Sequence, residues 1–276
     1  MNNKHHALWA VTALLIVFLA ILIWRVFIDP TPRAIAPDGQ VATTTAPAAA
    51  AIEPIHIKDS GRYYEIDASY PSATPLRETA GLDADADAVA LMKSFEVNTI
   101  EGFKEANNLG SMTPEQFAEF SFGRDVSFAM TIDYKLIESP KTISYSYAIY
   151  QDTLGAHPNT YYRTFTFDRQ TGENIHLDEL FAPGMPYLER LSSRTRADLP
   201  AIMAKMAGIR ADEVDRGNIE SGTLPIADAF QNFVIDAGTL RVIFPPYQVG
   251  PYAFGTLEVP IPLTDLRDIL SPQYRP

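Results

Sequence analysis

The feature that most restricts this chain is ALWAVTALLIVFLAILIW, an apolar run from Ala7 to Trp24 without a single charge. Continued past Arg25 to Ile28, it supplies the roughly 20 residues an α-helix needs to cross about 30 Å of hydrocarbon. Trp9 and Trp24 stand near its ends, where indoles favour the membrane interface. A cleaved signal peptide has a shorter apolar core of about 7–15 residues and ends in a small-x-small site. The flank IWRVFI offers no such site. We therefore expect an uncleaved single-pass helix over 7–28. Residues 29–54 are rich in Pro, Ala and Thr and predict a semi-extended spacer with no core of its own. Lys4 before the span and Arg25 and Arg33 after it barely decide orientation. The spacer helps, because a spacer next to a membrane typically lifts a domain away from the bilayer. The expected placement is the cell membrane, with residues 1–6 a cytoplasmic stub and the C-terminal part extracytoplasmic.

The remaining residues are enough for one large domain or two small ones. The 276-residue chain has a formal net charge of -12 and shows no basic stripe, which argues against nucleic acid as a partner. It has no cysteine, so disulfides, thiol nucleophiles and Cys-based zinc sites are excluded.

Alternation of apolar and polar residues predicts a strand from Tyr64 to Tyr70, ending at Pro71. A helix is predicted over 86–106. Thr113-Pro114-Glu115-Gln116 reads as a capped helix start, with Thr113 as N-cap and Gln116 completing a capping box. Two long alternating runs, Val126–Leu136 and Ile143–Ile149, predict an antiparallel hairpin. A further strand is expected over Tyr161–Phe167, with a partner after the turn Asp168–Gly172. Residues 186–207 read as helical, with Pro200 ending one helix or beginning the next. Strands Phe230–Ile235 and Leu240–Phe244 flank a hairpin turn at Asp236–Thr239, and Thr256–Ile261 leads into a short helix at Leu263–Leu270. Hairpins separated by helical blocks predict an α+β fold with mainly antiparallel sheets rather than a parallel βαβ sheet.

Few residues suggest chemistry. After the spacer, the histidines are His56, His157 and His176, with no pair at metal-binding spacing. Asp83, Asp85 and Asp87 resemble the start of a calcium loop, but Ala88 and Ser94 stand where Gly and Glu are needed. These carboxylates fit a helix N-terminus instead. No nucleophile elbow, phosphate loop or dinucleotide fingerprint occurs. We expect no catalytic residue, no metal and no cofactor. What stands out is PPYQVGPYAFG, Pro245–Gly255, where Tyr247, Tyr252 and Phe254 lie between prolines and glycines. It reads either as an aromatic binding loop or as a rigid turn plugging a sheet end. The loop around His157 carries the same two readings. Tyr247, Tyr252, Phe254 and His157 are the candidate ligand-binding residues.

These segments carry a family resemblance. RYYEIDASYP, from Arg62, resembles the opening of the N-terminal domain of PdaC-type peptidoglycan deacetylases. GAHPNTYYRTFTFDRQTGENIHLDELF and LRVIFPPYQVGPYAFGTLEVPIP closely resemble the extracytoplasmic domain of the RsiV-type lysozyme receptors. The resemblance implies two fused α+β modules, here 55–155 and 156–276, in a largely uncharacterised family whose receptor form binds lysozyme. Residues 1–6 are too short for the receptor's sigma-binding segment, and the deacetylase's catalytic domain has no counterpart before Pro276. The expectation carried over is a membrane-tethered binding or sensing domain of the envelope, without catalysis, for a lysozyme-like protein or cell-wall glycan. The alternatives are a structural envelope protein without a ligand and a peptidoglycan-acting hydrolase.

Overall fold

The alternating runs around residue 130 become the centre of a five-stranded sheet. The computed structural model describes residues 52–276, so the predicted stub, the membrane helix 7–28 and the spacer up to residue 51 lie outside the described residues. Among the described residues, no helix is long and apolar enough to cross a membrane. The fold is mixed α+β with mainly antiparallel sheets.

β3 (Phe128–Glu138) and β4 (Thr142–Asp152) form the expected hairpin, with Ile132 opposite Ile149. β5 (Asn159–Asp168) continues the sheet antiparallel to β4. At the other side, β1 (Pro54–Ser60) and β2 (Tyr64–Pro71) form a second hairpin. Thus Pro54, read as the end of the spacer, already belongs to a strand. β2 lies parallel to β3, so one βαβ crossover interrupts the antiparallel pattern. The crossover is the helical block α1 (Leu76–Thr79), α2 (Leu82–Ala106) and α3 (Pro114–Ser121). A connection that long permits parallel pairing, which a tight turn forbids.

The buried stripe Ala88, Met92, Ile100 and Phe103 of α2 shares one core with Met130, Ile132, Tyr145, Tyr147 and Phe165 of the sheet. Asp85, in the first turn of α2, is buried and accepts the Thr74 N–H and, at 2.9 Å, the Arg77 Nε–H. Its role is structural. The capping box of α3 is formed as read: Gln116 N–H donates to Thr113 Oγ1 at 3.3 Å and Thr113 N–H to Gln116 Oε1 at 2.9 Å.

A second core lies under an antiparallel sheet of β6 (Phe233–Asp236), β7 (Thr239–Phe244) and β8 (Leu257–Pro262), packed against α4 (Tyr187–Ala207) and α5 (Gly217–Gly222). The β6–β7 turn has Ala237 at φ 44° and Gly238 at φ 79°, the doubly left-handed geometry of tight hairpins. Three readings need correction. α4 runs unbroken through Pro200, because burial of Leu199, Pro200 and Met203 outweighs the ~3 kcal/mol an internal proline costs. No strand follows the turn after β5; Phe167 and Asn174 make only an isolated bridge. The last predicted helix is a single 3-10 turn, Leu263–Leu266.

β5 pairs with β4 along its whole length, so the first core runs through Phe167 and the second starts at Ile175. The boundary expected at 155 falls in the β4–β5 connection, inside that sheet. The two cores meet where β6 docks on the face of the five-stranded sheet remote from α2. Hydroxyl groups make the seam: Phe233 N–H donates to Thr164 Oγ1 at 3.0 Å and Ile235 N–H to Ser144 Oγ at 3.4 Å.

Candidate ligand-binding surface

Two loops distant in sequence meet at one end of the sheet. The β4–β5 loop carries His157, and the segment after β7 carries Tyr247 and Tyr252. The His157 and Tyr252 rings stack with centroids 4.2 Å apart, and Tyr247 lies 5.4 Å from Tyr252. His157 Nδ1 is 2.8 Å from the Pro158 carbonyl, which can only accept, so Nδ1 carries the proton. In the neutral ring, Nε2 then accepts from the Tyr247 hydroxyl at 2.8 Å. The Tyr252 hydroxyl donates to the same Pro158 carbonyl at 3.0 Å. Every polar atom of the three rings is engaged within the cluster. What the cluster offers outward is aromatic surface, with Tyr247 54% and Tyr252 36% exposed.

Phe254 does not join them. It is half-buried and packs against the second core. Tyr247 holds φ 72°, a left-handed conformation that costs a non-glycine residue about 1–2 kcal/mol. Gln248 fixes that strained loop from below by donating from Nε2 to the carbonyls of Gly222 and Ala229, each at 2.9 Å. Gly222 has to lack a side chain there, because a Cβ would overlap the Gln248 carbonyl.

Tyr150, exposed on β4, extends the surface beside Tyr252 and was not singled out from the sequence. Burial, then the charges of Asp152 and Tyr252, push its phenol upward. The only signal was an aromatic on the outward phase of β4, where Ile143, Tyr145, Tyr147 and Ile149 alternate inward.

A second polar feature is buried beneath α2. Glu96 is fully buried and neither carboxylate oxygen has a partner; the nearby Tyr147 hydroxyl has none either. Burial, reinforced by the Asp133 charge, pushes the Glu96 carboxyl up to about 8. Among the described residues, no group of three or more His, Asp or Glu side chains could hold a metal ion.

Part of this fold, with Tyr247 and Tyr252 but not His157 or Tyr150, falls within a domain whose role is not established. Residues 178–264, most of the second core, match the family described as "Protein of unknown function (DUF3298)", and the chain carries that domain there. It is 29% identical over 146 residues to peptidoglycan-N-acetylmuramic acid deacetylase PdaC of Bacillus subtilis, covering 52% of this chain and 30% of that protein. It is 26% identical over 113 residues to esterase Rv3036c of Mycobacterium tuberculosis, covering 41% of this chain and 45% of that one. The chain thus spans less than half the length of the curated relatives it matches. A DUF3298 family member from Bacteroides fragilis shares the fold, with a TM-score of 0.53 and 17% identity over 80% of this chain and 93% of that one. A DUF3298 family protein from Pseudomonas aeruginosa aligns with a TM-score of 0.49 and 15% identity over 81% of this chain and 95% of that one.

Proposed function

We propose that this protein is a membrane-tethered, non-catalytic binding module of the cell envelope, with its C-terminal part extracytoplasmic and its aromatic surface receiving the glycan of the wall. The observation that carries the reading is the cluster of His157, Tyr247 and Tyr252, whose hydrogen-bonding atoms are engaged with one another and with the Pro158 carbonyl while their rings stay exposed. Such a surface suits the apolar C–H face of a pyranose ring better than it suits proton transfer. Similarity to a peptidoglycan deacetylase supports the same class of ligand.

The position of the cluster also supports it. Pro54 pairs with Pro71, Tyr64 with Phe128 and Ala129 with Asp152, so the His157 loop lies at the end of the sheet opposite to where β1 begins. The strands between set these ends about 20 Å apart. A chain tethered upstream of Pro54 would carry the aromatic face outward.

A second reading, a basic lysozyme-like protein as the partner, is favoured by the formal net charge of -12. Calorimetric titration of residues 52–276 with muropeptide oligosaccharides and with lysozyme distinguishes the two. Heat with the glycan that is lost in Tyr252→Ala supports the first. Binding of lysozyme alone moves the assignment to the second, and silence with both at millimolar ligand removes both.

A further inference from the structure

One strand edge is only half covered. At the C-terminal half of β5, the chain adds its own third strand position: Ile175 N–H donates to the Thr166 carbonyl at 2.6 Å and Asp168 N–H to the Glu173 carbonyl at 2.9 Å. These bonds fix which backbone groups point away from β4, namely those of the even-numbered residues. At His176 the chain turns away into the 3-10 helix Leu177–Leu180. From there to the start of β5, the outward N–H and C=O groups of Thr160, Tyr162 and Thr164 have no hydrogen-bond partner among the described residues.

Beside this open edge lies a cleft of about 340 Å³, lined by Arg163, Thr164, Asp178, Tyr187, Asp228 and Gln231, among others. Asp178 and Asp228 are exposed and neither is in an ion pair among the described residues. Arg163 lies instead over the Phe165 ring, 5.3 Å from its centroid. The opposite edge of the sheet differs. β1 is exposed on most of its length and carries Lys58 and Asp59, the charged decoration that discourages strand pairing.

We infer that the N-terminal half of β5 is a strand-addition site for an extended peptide segment of a partner protein, with a basic side chain of that segment held by Asp178 and Asp228. The segment takes the position the chain itself occupies at Glu173–Ile175 and vacates at His176. Backbone hydrogen bonds to Thr160, Tyr162 and Thr164 supply affinity, and the two carboxylates supply preference for Lys or Arg. This inference does not rest on the glycan reading, and Tyr252→Ala is expected to leave it intact.

The test uses residues 52–276 and a fluorescein-labelled Thr-Val-Arg-Val-Thr-Val-Thr peptide, with a second peptide carrying Asp in place of Arg. The Arg peptide is expected to slow amide exchange at Thr160, Tyr162 and Thr164 and to bind about tenfold more tightly than the Asp peptide. Tyr162→Pro removes an outward N–H without touching a bond to β4, and should weaken binding about tenfold relative to Tyr162→Ala. Asp178→Lys with Asp228→Lys should reverse the peptide preference. If Tyr162→Pro does not fold, exchange in the unaltered protein decides. No slowing at the three amides, or equal binding of both peptides, overturns the inference.

Discussion

Ser139 donates its hydroxyl to the carbonyl of Ile235 at 2.9 Å, across the junction of the two cores. The same oxygen accepts the Ala237 N–H at 3.1 Å. One side chain in the β3–β4 turn thus closes the outer edge of β6. In Ser139→Ala both groups lose their partner; the Ile235 carbonyl is left buried at a cost of about 1–3 kcal/mol, whereas the N–H of the exposed Ala237 can turn to water. We expect a loss of about 1–3 kcal/mol, read as a lower urea midpoint with an unchanged slope. Ser144→Ala takes a partner from two buried groups, the Ile235 N–H at 3.4 Å and the Thr166 hydroxyl at 3.0 Å, and should cost at least as much. A cost below about 0.5 kcal/mol for either variant would sink this account of the seam.

Glu96 makes stability depend on pH in a direction opposite to an ordinary carboxylate. In the unfolded chain it titrates near 4.5, whereas in the folded protein it holds its proton to about 8. Between these values the native state binds the extra proton, so stability is full below pH 4.5, falls as pH rises and levels off above pH 8. At pH 7 the loss is roughly 3 kcal/mol. Glu96→Gln should flatten this component and be the more stable protein at pH 8, while matching the parent at pH 4. Denaturant titrations at the two pH values check it; parallel curves would exclude Glu96 as the source.

The strained Tyr247 separates binding from folding. Tyr247→Gly relieves the left-handed backbone but removes the ring and its bond to His157, so stability should change by less than about 1 kcal/mol. Glycan binding should fall sharply. A melting temperature that drops with either Tyr247→Gly or Tyr252→Ala, accompanied by unchanged binding, would mean that these rings pack the sheet end and bind nothing.

Gly222 supports the same loop at a distance. Gly222→Ala forces a methyl group against the Gln248 backbone, and overpacking of this kind costs about 1–3 kcal/mol. Because Gln248 is next to Tyr247, the variant should also loosen the aromatic cluster. Fluorescence of an engineered Gln248→Trp would not report this, since it removes the bonds to Gly222 and Ala229. Proton shifts of the His157 ring are the suitable measure, and their constancy would uncouple the two sites.

Much of the fold was legible where the signal was local. The capping box at Thr113, the hairpin of β3 and β4 and the Asp236–Thr239 turn depend on neighbours in sequence, and the residues there state them directly. Pro200 misled because a local cost of ~3 kcal/mol was set against burial that only the packed structure supplies. The parallel β2–β3 pair was missed for a related reason: alternation shows that a strand exists but not which strand it pairs with. The Tyr247, Tyr252 and His157 loops were visible as composition, whereas their meeting was not. Tyr150 left only an aromatic on the outward phase of its strand, and the open edge of β5 left no signal, since both are defined by what lies beside them.

The sequence by itself determined the apolar run at 7–28, the absence of cysteine chemistry, the α+β class and most element positions. These follow from periodicity, length and backbone preferences, which act within a few residues. The tertiary structure decided which strands are neighbours, where one core ends and the next begins, and that His157, Tyr252 and Tyr247 form one surface while Phe254 turns inward. Those outcomes depend on contacts between residues far apart in the chain, as in the bond from Tyr252 to Pro158, 94 positions away. Closing loops of that length is an entropic cost that only the collective burial of the two cores offsets, and no local pattern encodes it.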